Sequence, residues 1–268
     1  MKVFIAADME GVAGLAQWDD SEIELQKRLM TEEINAAARG AFAGGATQIV
    51  AGQSHSSMRY LLPELLDARV SMVAGQPKKS NHMGGVDSSF GLAIFVGYHA
   101  RAGTLRGVMS HTFSGVVFSL SFNGVEMGEV GVDAALCGEH GVAVGMVAGD
   151  KAACDEAVAL LGPPLRTVAV KEGLSRHCAV CKPLAVARRE IEETAADAVR
   201  RAKDFRPFIV QGPVTAEVVF TDPSFADAAE LLPDIERLDG RTIRYRAPTF
   251  SEAFQIHDVT RPLGSVYR

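Results

Sequence analysis

The chain has 268 residues, 47% of them hydrophobic and 22% charged, a composition ordinary for a globular protein with the length to bury a sizeable core. Its net charge is -6, and its densest basic points are only Arg188-Arg189 and Arg200-Arg201, which argues against nucleic acid as a partner. No apolar stretch is long enough to cross a bilayer and the first residues read as a strand rather than a signal peptide, so a cytoplasmic protein is expected.

Val3-Phe4-Ile5-Ala6-Ala7 is apolar without alternation, the pattern of a strand buried on both faces, and it stops at Asp8-Met9-Glu10-Gly11. Two carboxylates at a strand end repel one another unless something positive lies between them. A divalent metal or a distant Arg or Lys would serve. Ser21 with Glu24 reads as a capping box opening a helix that Gly44-Gly45 ends, and Thr47 to Ala51 reads as the next strand, which makes a βαβ unit. His55 follows that strand, and so falls on the same sheet edge as Asp8.

Tyr60 to Leu66 is expected as a short helix, Arg69 to Val73 as a strand and Pro77 to Asp87 as a loop. Leu92 to Val96 is another buried strand, followed by His99. Asn123-Gly124 marks a hairpin between Val116–Phe122 and a short return strand, after which Glu129 leads into an alanine-rich helix. Val142 to Val147 is a strand, and Asp150 caps the helix running to Leu161. Pro163-Pro164 is the candidate boundary between a catalytic α/β domain, 1–163, and a smaller α+β domain, 164–268. The expected fold is a mainly parallel sheet flanked by helices, with that second domain shaping a pocket or an interface.

Cys178 and Cys181 have the C-x-x-C spacing, but a structural zinc needs a second pair of ligands and none follows, so coincidence is the better reading. His140 sits at a helix C-terminus, and His82, His177 and His257 lack strand-end context; all four read as solvated or packing residues. Asp8, Glu10, His55 and His99 remain, a set of the kind that binds zinc or manganese. Such a set suits a metallohydrolase of several kinds, an amidase or a phosphoesterase included, and also a dipeptide-binding module. A phosphoesterase wants a basic clamp, and only Arg101 lies near these residues in sequence.

Asp8-Met9-Glu10-Gly11, Ser54-His55-Ser56, Gly97-Tyr98-His99-Ala100-Arg101-Ala102, Met109-Ser110-His111 and Gly128-Glu129 resemble, in order, the motifs of the zinc-dependent D-aminopeptidases linked to bacterial dipeptide-transport operons. Met30-Thr31-Glu32-Glu33, Met146 to Asp150 and Ser175-Arg176 extend the likeness over nearly the whole chain. The resemblance implies two zinc ions per subunit held by Asp8, Glu10, His55, His99 and Glu129, with a catalytic role for His111. It also implies removal of N-terminal residues, D-amino acids foremost, from short peptides, and a homodecamer of two stacked pentameric rings. Two positions depart from the family: Gln53 stands where Asp is found, and Ala7 where Ser is common. If that Asp supports a metal-bound histidine, Gln53 offers one acceptor without the charge.

Overall fold

Alternation of doubly buried apolar runs with amphipathic helices builds the mainly parallel sheet that was expected. The computed structural model describes residues 1–265. In chain order they form β1 (Lys2–Ala7), α1 (Ile23–Ala43), β2 (Gln48–Gln53), β3 (Val70–Val73), β4 (Phe90–Tyr98), β5 (Val117–Phe122) and β6 (Val125–Glu126). There follow α2 (Glu129–Glu139), β7 (Val144–Asp150), α3 (Lys151–Leu161), β8 (Arg166–Ser175), β9 (Cys178–Cys181) and α4 (Leu184–Arg200). The last are β10 (Val214–Phe220), α5 (Pro223–Ala229), β11 (Glu236–Arg237), β12 (Thr242–Ala247) and α6 (Phe250–Ser265).

Seven strands lie in the order β3-β2-β1-β4-β7-β8-β9, parallel except for the last pair. The chain runs from β1 outward to β3, then returns to place β4 on the other side of β1. Strand order therefore reverses between β1 and β4, which opens a crevice beyond their carboxyl ends. One face of the sheet, with Val3, Ile5, Ala7, Ile94 and Val96, packs under α1 and α4. Gly40 and Gly44 let those two helices touch: a Cβ at Gly40 would lie 2.0 Å from the Glu192 carbonyl oxygen. Phe4, Ala6, Phe95 and Tyr98 face the other way, into a core shared with α2, α6 and an antiparallel sheet of order β11-β12-β10-β5-β6.

That second sheet changes the expected division of the chain. β8 and β9, beyond Pro163-Pro164, complete the first sheet, whereas β5 and β6, before it, complete the second. Main-chain pairing crosses the diproline in both directions, so residues 1–163 and 164–268 are interleaved. The Asn123-Gly124 hairpin forms as expected, with φ of 50° and 79°. No helix forms over Tyr60–Leu66. Polar side chains of α1 take its backbone groups instead: Thr31 Oγ1 accepts from Leu62 N, and Asn35 Nδ2 donates to the Leu65 carbonyl. Asp19, not Ser21, caps the 3₁₀ turn (Asp20–Glu22) that leads into α1. Cys178 and Cys181 lie on the edge strand β9 as free thiols.

Candidate metal centre

Register brings three strand ends level. Ala7 pairs with Gln53 on one side and Val96 on the other, and the ladder continues through Ser54 N to the Ala7 carbonyl (2.9 Å) and Asp8 N to the Val96 carbonyl (2.9 Å). The turns after β1 and β4 then interlock. Gly11 N donates to the Gly97 carbonyl at 2.6 Å, and a Cβ on Gly97, whose φ is +80°, would lie 2.1 Å from the Asp8 carbonyl oxygen. Only glycine permits that approach. The same Gly97 sits at a register shift that carries Tyr98 and His99 over the crevice.

Glu129 opens α2, where a carboxylate suits the helix N-terminus, and its Oε1 accepts from Phe113 N at 2.7 Å. His111 is delivered by a segment tied at three points: Val108 N to Asp150 Oδ2 (2.9 Å), Met109 N to the Arg176 carbonyl (2.7 Å), and Arg176 Nε to the Ser110 carbonyl (3.1 Å). Met109 and Phe113 hold φ of +52° and +58°, strain of the kind that collects at functional sites.

The structure thus gathers all six residues singled out in the sequence. His55 Nδ1 lies 2.8 Å from Glu10 Oε2 and 3.6 Å from Asp8 Oδ1; His99 Nε2 lies 3.5 Å from Asp8 Oδ2 and 3.3 Å from Glu129 Oε1; His111 Nε2 lies 3.6 Å from Glu129 Oε1. The His99 and His111 rings stack with centroids 4.1 Å apart. Asp8, Glu10, His99 and Glu129 are almost wholly buried. A cavity of about 980 Å³, lined by Asp8, Glu10, His55, His111 and Glu129 among others, opens on them.

Electrostatics here calls for positive charge. Burial, and then the neighbouring Glu10, push Asp8 up to about 7. Against the burial penalty, Glu10 and Asp8 raise His55 to about 11, and Glu129 and Asp8 raise His99 well above the imidazole range. Those histidines in turn hold Glu10 and Glu129 below the usual carboxylate range, although burial opposes it. His111 goes the other way: burial and the adjacent His99 lower it.

The donor set fits a divalent cation. His99 Nδ1 faces the Ala100 carbonyl at 3.0 Å, so its N–H is spent there and Nε2, aimed at two carboxylates, is the atom that would lose its proton to a metal. Asp8 Oδ2 and His99 Nε2 are both buried without a hydrogen-bond partner. Ligand atoms of Asp8, Glu10 and His99 fall within 4.8 Å of one another, and those of His99, His111 and Glu129 do so as well.

The profile of the peptidase M55 family, described as D-aminopeptidase, matches residues 1–259. The chain belongs to the D-aminopeptidase family. It is 35% identical over 263 residues to a D-aminopeptidase of Bacillus subtilis (strain 168), spanning 95% of this chain and 94% of that protein. It matches the fold of the Zn-dependent D-aminopeptidase DppA from Bacillus subtilis, a self-compartmentalizing protease, with a TM-score of 0.94, 34% identity, and coverage of 99% of this chain and 98% of that one.

Several residues of this D-aminopeptidase-family site went unnoticed in the sequence. Trp18 donates its indole N–H to Glu10 Oε1 at 2.7 Å and meets the His111 ring edge-on. His82, expected as a packing or solvated residue, is buried at the cavity wall, 3.0 Å from Asp133 and 3.8 Å from Glu129. Tyr98 also donates to Asp133, at 2.7 Å. Asp133 lies one helical turn after Glu129, a spacing that would have flagged it. Gln53 does not support His55. Its Oε1 takes the backbone N–H groups of Tyr60 and Leu61, so it shapes the loop after His55 instead. Arg101 turns away to Glu126 at 3.0 Å, and a phosphoesterase loses the clamp assigned to it.

Proposed function

We propose that this chain is a zinc-dependent aminopeptidase that removes N-terminal residues, D-amino acids foremost, from short peptides. Asp8, Glu10, His55, His99 and Glu129 hold two zinc ions per subunit in this reading. The carrying observation is the buried pair Asp8 Oδ2 and His99 Nε2, 3.5 Å apart and unpartnered, within a family of metallopeptidases. Zinc, when bound, supplies Lewis-acid polarisation of the scissile carbonyl and acidifies water to near neutrality.

His111 moves the proton. Its Nδ1 faces the Met109 carbonyl at 3.0 Å, so the N–H is held there and Nε2 is the free acceptor. Its lowered pKa keeps it neutral at physiological pH, able to take a proton at Nε2 from the attacking water and return it to the leaving amine. The acidic wall, Asp19 and Asp20 beyond the ligands, suits the free amino group of a substrate. Assembly into a ring-shaped homodecamer that encloses the active sites rests on the resemblance and on the self-compartmentalizing relative. A cytoplasmic location completes the reading.

Metal analysis of purified protein, with a panel of D- and L-aminoacyl dipeptides, tests it. About two zinc ions per chain and faster release of D-residues are expected; protein that folds and turns over peptides without zinc refutes it. His111→Ala should lower kcat on the order of 10²-fold or more while zinc content stays the same.

A further inference from the structure

Three lysine and arginine side chains line the cavity, and Arg176 is the one tied to the segment that carries His111. Arg261 pairs with Asp258 at 3.0 Å, and Lys78 Nζ is engaged by the Gln53 carbonyl at 2.7 Å. Arg176 has no carboxylate partner among the described residues, although the cavity wall around it carries Asp8, Glu10, Asp19, Asp20 and Glu129. The side chain is nonetheless held in place. Its Nε donates to the Ser110 carbonyl at 3.1 Å, Nη1 meets His177 Nε2 at 3.0 Å, and the guanidinium lies over the Trp18 ring, 5.3 Å from its centroid. Nη2 makes no hydrogen bond to the described residues. Trp18, the platform, is itself anchored to Glu10.

We propose that Arg176, on its Trp18 platform, binds the free α-carboxylate of the substrate residue that departs as the amine, making this chain selective for dipeptides. This rests on the aminopeptidase reading of the same site. In a dipeptide the carboxylate is one Cα away from the scissile nitrogen. The group that protonates that nitrogen and the cation that reads the carboxylate must therefore be neighbours. His111 and Arg176 are neighbours, joined through the Ser110 carbonyl and the Met109–Arg176 main-chain bond. A guanidinium fork matches a carboxylate, and a position fixed before binding loses little side-chain entropy on contact. Away from the proposed zinc ligands, Asp19 and Asp20 on the same wall favour the amine, so the two ends of a dipeptide meet groups of opposite charge.

The test compares D-alanyl-D-alanine with its C-terminal amide on the zinc-loaded enzyme, with the L-alanyl pair in parallel. The native enzyme should favour the free acid in kcat/KM. Arg176→Met should shrink the acid-to-amide ratio on the order of 10²-fold, and Arg176→Lys should restore part of it. Trp18 is the single tryptophan of the chain, so its emission gives a second readout. D-Alanine should perturb that emission at lower concentration than D-alaninamide, and Arg176→Met should erase the difference. An equal loss on acid and amide, or a native enzyme indifferent to the carboxylate, overturns the subsite while leaving the aminopeptidase in place. A native enzyme that cleaves none of the four peptides overturns the aminopeptidase, and the subsite with it.

Discussion

Lys171 sits on β8 with 2% of its surface exposed, and its ammonium donates to three main-chain carbonyls, those of Glu10 (2.6 Å), Val12 (2.8 Å) and Leu15 (2.6 Å). These belong to the turn that carries Glu10 into the site and Trp18 over it. Lys171→Met keeps the length and apolar stem but removes the donor. Each buried carbonyl left without a partner costs about 1–3 kcal/mol. Set against this is the cost of burying the ammonium, which lowers its pKa from 10.5 to about 8 and is worth about 3 kcal/mol at neutral pH. The net destabilisation should be about 3 kcal/mol, a fall in Tm on the order of 10 °C. Because Glu10 is one of the three residues gripped, zinc affinity should fall about 10–100-fold, as for partners that orient metal ligands. Thermal unfolding of the zinc-loaded protein and chelator competition measure the two effects. A Lys171→Met protein with native Tm and native zinc affinity would show that the turn holds itself, and that the three hydrogen bonds are incidental.

Zinc uptake should release at least one proton per subunit at pH 7.5, because His55, raised to about 11, and His99, also raised, must lose their protons to become ligands. Affinity then increases with pH. Calorimetry in buffers of different ionisation enthalpy reads the release, and heats independent of buffer would contradict it. Glu33, buried behind the same turn with Oε1 on Ala13 N at 2.9 Å, is pushed up to about 7 by burial. A folded pKa above the unfolded 4.5 means that the native state binds the extra proton, so this contribution is complete below pH 4.5 and is lost as pH rises through 7. Glu33→Gln should therefore gain stability relative to the parent by a few kcal/mol between those limits. Parallel denaturant titrations at pH 4.5 and 7.5 that show no change in the difference would refute this assignment.

Much of the site was legible because metal chemistry is local in sequence even where its ligands are not. Each of Asp8, Glu10, His55 and His99 directly follows an apolar run, and parallel strands point their carboxyl ends one way. Glu129 and His111 were different: their strand-end context is weak, and only the motif series brought them in. The supports of the site had no such signature. Lys171 fell in none of the motifs, and Arg176 entered only through the likeness with no role attached, because their partners lie at 156–161 and 66 residues' separation. Tyr60–Leu66 was misread as a helix because side chains of α1 and Gln53 take its backbone groups.

By itself, then, the order of residues determined which segments are strands, which way the parallel ones run, and which carboxylates and imidazoles end them, since burial on two faces and helical crossovers leave a period and a composition behind. The interleaving of the two sheets across Pro163-Pro164, the grip of Lys171 on the Glu10 turn and the stacking of Arg176 on Trp18 were decided only in three dimensions. Main-chain pairing and carbonyl hydrogen bonds are indifferent to which side chains flank them, so no pattern in the sequence records where they will close.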